Sequence, residues 1–168
     1  MARFVPADPG LATANPIEAL PIARFLRETW WAYPAVEVVH IVGFVVLLGA
    51  VVMFDLRVLG LSRAISVRAL ARHLLPWSWA ALLLIVPSGL LMFMARATDL
   101  LASGVFQCKM GLLLLAFGNA AWFLTGPYQS VKRWDTESSA PLPAQASVAI
   151  SLVLWLGVLA CGRLLAYV

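Results

Sequence analysis

Four stretches of about 20 residues cross this sequence almost without charge, each long enough to span a ~30 Å hydrocarbon layer as a helix. They cover residues 34–54, 75–94, 105–124 and 147–167. A backbone in lipid must satisfy its own hydrogen bonds, so stretches of this kind can only be helical. The fold expected is therefore all-α, an integral membrane bundle of four transmembrane helices. Composition agrees: 62% of the 168 residues are apolar and 12% are charged, whereas a water-soluble domain carries about a quarter. The longest connection is the polar stretch 128–145, so no soluble domain fits between the spans.

Ahead of the transmembrane domain (34–168) the chain divides in two. Residues 1–14 are rich in Pro, Gly and Ala and predict a flexible tail. Asn15-Pro16 offers a capping side chain followed by proline at the first turn, a helix start. From there to Tyr33, Leu20, Ile22, Phe25, Leu26 and Trp30 alternate with Arg24, Arg27 and Glu28. Residues 15–33 thus predict an amphipathic helix lying at the membrane interface, with Trp30, Trp31 and Tyr33 at headgroup level. Residues 1–30 lack a continuous apolar core and contain Pro6, Pro9, Pro16 and Pro21, so the first span is expected to direct insertion.

The net charge of +4 does not point to nucleic acid, because the basic residues lie between apolar runs rather than in one stripe. Arg57, Arg63, Arg68 and Arg72 follow the first span, and Lys132 and Arg133 follow the third. This bias places both loops in the cytoplasm and both termini outside. Cys108 and Cys161 sit inside apolar segments and build no disulfide framework. Pro87 and Gly89 should kink or thin the second helix and admit another backbone. Nothing supports a hydrolase: the chain has no GxSxG elbow, HExxH pair or phosphate-cradling glycine loop.

Ionisable side chains inside spans are costly and each is a functional candidate. Glu37 and His40 lie one turn apart near the outer end of the first helix, and Lys109 and Arg163 return to that depth on the third and fourth. Helix rise puts this layer roughly 5–9 Å inside the outer boundary. Several chemistries suit it. His40 could ligate haem iron, with Lys109, Arg163 or Arg96 on the propionates, or with Lys109 as the opposite ligand. His40, Met92, Met94, Cys108 and Cys161 form a soft-ligand set of the kind that suits copper. Glu37, His40 and Lys109 could relay protons or hold an anion, or the charges could simply form an internal salt-bridge network. Deeper in, Asp55 and Arg57 close the first helix and Asn119 lies on the third; a structural clasp is expected, with Asp55 paired to an arginine and Asn119 bonded across helices. His73 precedes the second span at its inner end, about 22 Å or more from His40 along a helix, too far for both to hold one iron.

The string His40-Ile-Val-Gly43, Phe54-Asp55-Leu56-Arg57-Val58-Leu59-Gly60, Pro76-Trp77-Ser78-Trp79, Ser88-Gly89-Leu90-Leu91, Phe106-Gln107-Cys108-Lys109, Gly118-Asn119-Ala120 and Cys161-Gly162-Arg163 resembles a family of small four-helix bacterial membrane proteins, a domain of unknown function. The resemblance covers about residues 30–168. More distantly the chain is similar to the membrane protoporphyrinogen oxidases that work without oxygen and to the copper-resistance D family. In the former a histidine early in the first helix and a lysine in the third act with haem b, and His40 and Lys109 match those positions. The DLRVLG stretch departs from the oxidase pattern. The resemblance implies a multi-pass protein of the bacterial inner membrane that binds haem b for redox or porphyrin chemistry through His40 and Lys109, to which the layer of charges itself adds Arg163 as a partner for the propionates. The alternative is a non-catalytic subunit or copper-handling protein, working with a membrane or periplasmic partner or as a homo-oligomer.

Overall fold

The computed structural model describes residues 15–136 and 138–167, which form helices, turns and connections with no strand among them. The expected tail 1–14 lies outside the described residues. In chain order the elements are α1 (Pro21–Glu28), α2 (Ala32–Val58), α3 (Val67–Ala95), α4 (Ala97–Ala102), α5 (Gly104–Thr125), a 3-10 helix (Pro127–Arg133) and α6 (Leu142–Leu164). Four of them, α2, α3, α5 and α6, are long and apolar enough to cross a membrane. Leu83, Leu114 and Val153 stand outward with 76%, 75% and 70% of their surfaces uncovered. Side chains of this kind, on every outer face, require lipid rather than water as the solvent.

Helix boundaries follow local chemistry. Ser66 caps α3 by accepting from the Ala69 N–H at 3.1 Å, so this helix starts at Val67, eight residues before the apolar run that predicts it. Arg68 and Arg72 ride exposed on its first turns. Ser103 caps α5 through the Phe106 N–H, and Pro141 precedes an α6 that begins at Leu142 rather than 147. The expected helix over 15–33 is shorter than its pattern: it covers Pro21–Glu28, and Ala32 and Tyr33 already belong to α2. Pro21 forces the residue before it into extended backbone, and Leu20 has ψ 142°. Asn15 instead turns the chain locally, its side-chain oxygen accepting from the Ile17 N–H.

Because the spans alternate in direction, α1, α4 and the start of α2 lie at one end of the bundle, here the terminal end. The Leu59–Ser66 connection and residues 126–141 form the loop end. Helix α2 packs along α3, α5 along α6, and α6 joins the two pairs by packing on α2. Trp155 of α6 sits at that junction, its ring 6.3 Å from Phe44 of α2 and 6.2 Å from Phe117 of α5. At the terminal end α1 docks on α3 through Leu26, with Ala95 and Ala32 beneath it.

The tightest approach is between α2 and α3. A Cβ on Gly43 would lie 2.9 Å from Ile85 Cγ1, 3.1 Å from Leu84 Cβ and 3.2 Å from the Ala81 carbonyl oxygen. Backbone stands on one side of that contact and cannot yield. Gly43→Ala is therefore expected to destabilise the bundle by about 1–3 kcal/mol, the usual cost of overpacking. Gly49, which meets nothing within 4 Å, serves as control: Gly49→Ala should be neutral or gain up to about 1 kcal/mol from helix propensity. Reversible unfolding of both variants in a mild detergent tests the contrast.

Candidate functional site

His40 faces the α2–α3 seam, one turn from Gly43. Its Nδ1 lies 3.1 Å from the Ile85 carbonyl oxygen and 3.0 Å from Ser88 Oγ. A carbonyl oxygen can only accept, so Nδ1 carries the proton and donates, and in the neutral ring Nε2 is the bare nitrogen. Ser88, almost wholly buried, gives its own proton to the Leu84 carbonyl at 2.5 Å. It can thus present only lone pairs to the imidazole. Gly89 forms the floor: a Cβ there would come 3.1 Å from His40 Cε1. The sequence leads one to expect another backbone against Gly89; what lies there instead is the His40 side chain.

Lys109 of α5 is half-buried, and its Nζ lies 3.9 Å from where a Cβ on Gly162 of α6 would be. Lys109 and Glu37 are both within electrostatic reach of His40, although Glu37 is exposed. Arg163 turns elsewhere. Its guanidinium donates to the Tyr167 hydroxyl and lies 4.5 Å from the centre of that ring, on the exposed side of α6. His73 is exposed on α3, sixteen residues from Gly89 and so about 24 Å from the His40 seat. The Cys108 and Cys161 thiols are neighbours across the α5–α6 seam. No group of three or more His, Cys, Asp or Glu side chains comes together among the described residues.

One feature of this end has no strong signature in the sequence. A cleft of about 600 Å³ opens at this end between α1 and the α3–α4 junction, lined by Glu18, Arg27, Trp30, Tyr33, Arg96 and Asp99. Arg27 builds one wall by donating to the Ala95 carbonyl at 3.1 Å and the Glu18 carbonyl at 2.7 Å. The Glu18 carboxylate accepts from the Thr98 N–H at 2.6 Å, and that bond holds its pKa below the usual 4.5. Arg96 and Asp99 form an exposed pair at 3.5 Å. Tyr33, which lines the cleft, and His40 are seven residues apart, about 10 Å along α2.

At the loop end the expected pairing of Asp55 with an arginine is not formed among the described residues. Residues 55 and 57 point to different sides of a helix. Asp55 faces Ser151 of α6 and is buried with Oδ2 lacking any hydrogen-bond partner. Arg57, equally buried, donates instead to three backbone carbonyls, those of Ile65, Arg63 (3.0 Å) and Asp135 (2.8 Å). The expected bond of Asn119 across helices is present: its amide donates to the Ser147 carbonyl and its oxygen accepts from the Ser147 hydroxyl, each at 3.0 Å. Such interhelical bonds are worth about 0.6 kcal/mol on average in lipid.

Asp135 closes this end by accepting from Ser66 Oγ at 2.9 Å and from the Arg68 N–H at 3.0 Å. Partial burial alone would raise its carboxyl. The Arg68 and Val67 N–H groups, the Ser66 hydroxyl and the Arg68 charge together hold it below the usual 3.8. A depressed folded value means the stabilisation is complete above the unfolded value and is lost as pH falls through the folded one. Asp135→Asn is therefore expected to lower the melting temperature at pH 7, and the gap from wild type should close as pH is taken below about 4. Parallel melting curves between pH 7 and 3 measure it, and a gap independent of pH would contradict the assignment.

Comparison with known protein families, with characterised proteins and with solved structures finds no match for this chain.

Proposed function

We propose that this protein binds haem b at the α2–α3 seam through His40, in the inner membrane of a bacterium, for redox or porphyrin chemistry. The observation that carries the proposal is the seat of the imidazole. A ring that donates Nδ1–H to a backbone carbonyl has its tautomer and orientation set, and its Nε2 is left available as a ligand. No three-residue cluster is available for a bare ion among the described residues. Haem would need from the protein a ligand for its iron, the role His40 would fill, and cations for its carboxylates. Lys109 is the half-buried cation within reach of His40, and Arg96 borders the cleft at the same end of the bundle. Arg163, held on Tyr167, is the weaker candidate for that role. When bound, haem would supply one-electron chemistry, while His40 would hold the iron and the seam would exclude water from it.

The resemblance of His40 and Lys109 to the histidine and lysine of the oxygen-independent porphyrinogen oxidases supports the same assignment. The arginine-rich loop end is taken as cytoplasmic and the termini as periplasmic. α1, with Phe25, Trp30 and Trp31 exposed, is taken to rest at the outer interface. The alternative, a non-catalytic subunit braced by intramembrane salt bridges, lacks those bonds: Glu37, Asp55, Arg57, Lys109 and Arg163 make no ion pair among the described residues.

Protein expressed with ample haem and purified in detergent is expected to show a Soret band and, after dithionite, a reduced α-band. His40→Ala should abolish both, while His73→Ala should leave both intact. Absence of a Soret band in the wild type, or its survival in His40→Ala, would overturn the proposal.

A further inference from the structure

Chain reversal at the loop end builds a second polar cavity, about 140 Å³ in volume, between the last turn of α2 and the start of α6. Gly60 has φ +109°, a left-handed conformation suited to glycine. The turn it makes folds Arg63 back, so that Nη2 and Nε lie 3.0 and 3.2 Å from where a Gly60 Cβ would be. Arg57 and Arg63 thereby border one cavity, with Ser138, Ser139 and Gln145 opposite and Trp134 beneath. No acidic side chain among the described residues lines it.

Among the described residues this is a concentration of charge with no acidic side chain against it. Arg57 is 6% exposed, and its hydrogen-bond partners are three neutral carbonyls. Carbonyls orient a guanidinium but cancel none of its charge, and a buried charge without a counter-ion is costly. Asp55 does not serve, since it faces α6, and the Asp135 carboxylate is engaged by Ser66 and Arg68. Bringing Arg63 beside Arg57 adds repulsion that an anion between them would relieve. Guanidinium forks with hydroxyl donors are the usual chemistry for a phosphoryl group. The volume admits one such group and little more.

We propose that this cavity is a binding site for a phosphoryl anion, supplied by the headgroup of an anionic phospholipid or by free phosphate. Both present the same charged oxygens to Arg57 and Arg63. Leu59 and Leu61, exposed beside the cavity, offer acyl chains an apolar border, and basic pockets between spanning helices are common headgroup sites. The site is independent of haem and lies at the opposite end of the bundle.

The test is thermal unfolding of the full chain in non-ionic detergent, titrated separately with phosphatidylglycerol, phosphatidylcholine and inorganic phosphate at constant ionic strength. Phosphatidylglycerol is expected to raise the melting temperature and phosphatidylcholine is not. A matching rise with inorganic phosphate identifies a site for the free anion, and a rise with phosphatidylglycerol alone identifies a headgroup site. Arg63 is exposed, so Arg63→Gln should fold; it should weaken the response about tenfold or more, the loss of a charge-assisted hydrogen bond. Arg63→Lys should fall between, keeping charge but losing the fork. Arg72→Gln, outside the cavity, should respond as wild type. No response to either anion, or equal weakening by Arg63→Gln and Arg72→Gln, would overturn the site.

Discussion

The close approach of α2 and α3 at Gly43 is the contact on which the rest of the bundle depends. With the Ala81 carbonyl and the Ile85 side chain so near position 43, no side chain beyond hydrogen fits, and the two helices lie against each other over most of their length. In lipid, helix association draws on van der Waals contact rather than on exclusion of water, so backbone proximity is the main source of cohesion. The same closeness seats His40. One turn from Gly43 the ring enters the seam, meets Gly89 and reaches the carbonyl of Ile85. Packing and site geometry are two results of one small-residue seam.

A second regularity runs through the polar groups. His40, Arg27, Arg57 and Asn119 each find a backbone carbonyl, not an opposite charge. Ala95 ends α3, where carbonyls lack intrahelical donors and carry the negative end of the helix dipole. Ile65, Arg63 and Asp135 lie in the connections at the loop end, outside the regular helices. An ion pair in this environment would have to desolvate two charged groups for one attraction, and that balance is often unfavourable. Carbonyls supply oriented acceptors without adding a second ion. The ends of the bundle are thus tied by arginines gripping chain termini and turns, with the aromatic and aliphatic core between them.

The position of His40, Glu37, Lys109 and Arg163 along their helices was legible because helix rise converts residue number into height. Their mutual orientation was not. Arg163 shares the expected layer yet bends to Tyr167, and Asp55 turns to α6 while Arg57 turns to the loop. In a soluble helix a polar stripe marks the outward face. Here apolar residues cover every face, since lipid and protein interior are equally acceptable to leucine. Without a stripe, helix rotation leaves no trace in residue order. The Ser88-Gly89 pair is the one local sign of the histidine seat, and the cleft made by Arg27 and Glu18 arises only when α1 folds onto α3 and α4.

By itself the amino-acid sequence determined that this chain makes four helices long and apolar enough to cross a membrane, and where along each of them its few ionisable groups stand. Hydrophobic length and the obligatory pairing of backbone groups in lipid leave no other solution. Only the tertiary structure decided which helices are partners, that His40 donates to Ile85, and that Arg57 and Arg63 border one cavity. Those outcomes depend on where single glycines let backbones meet and on how turns aim side chains, which are properties of contact between distant segments.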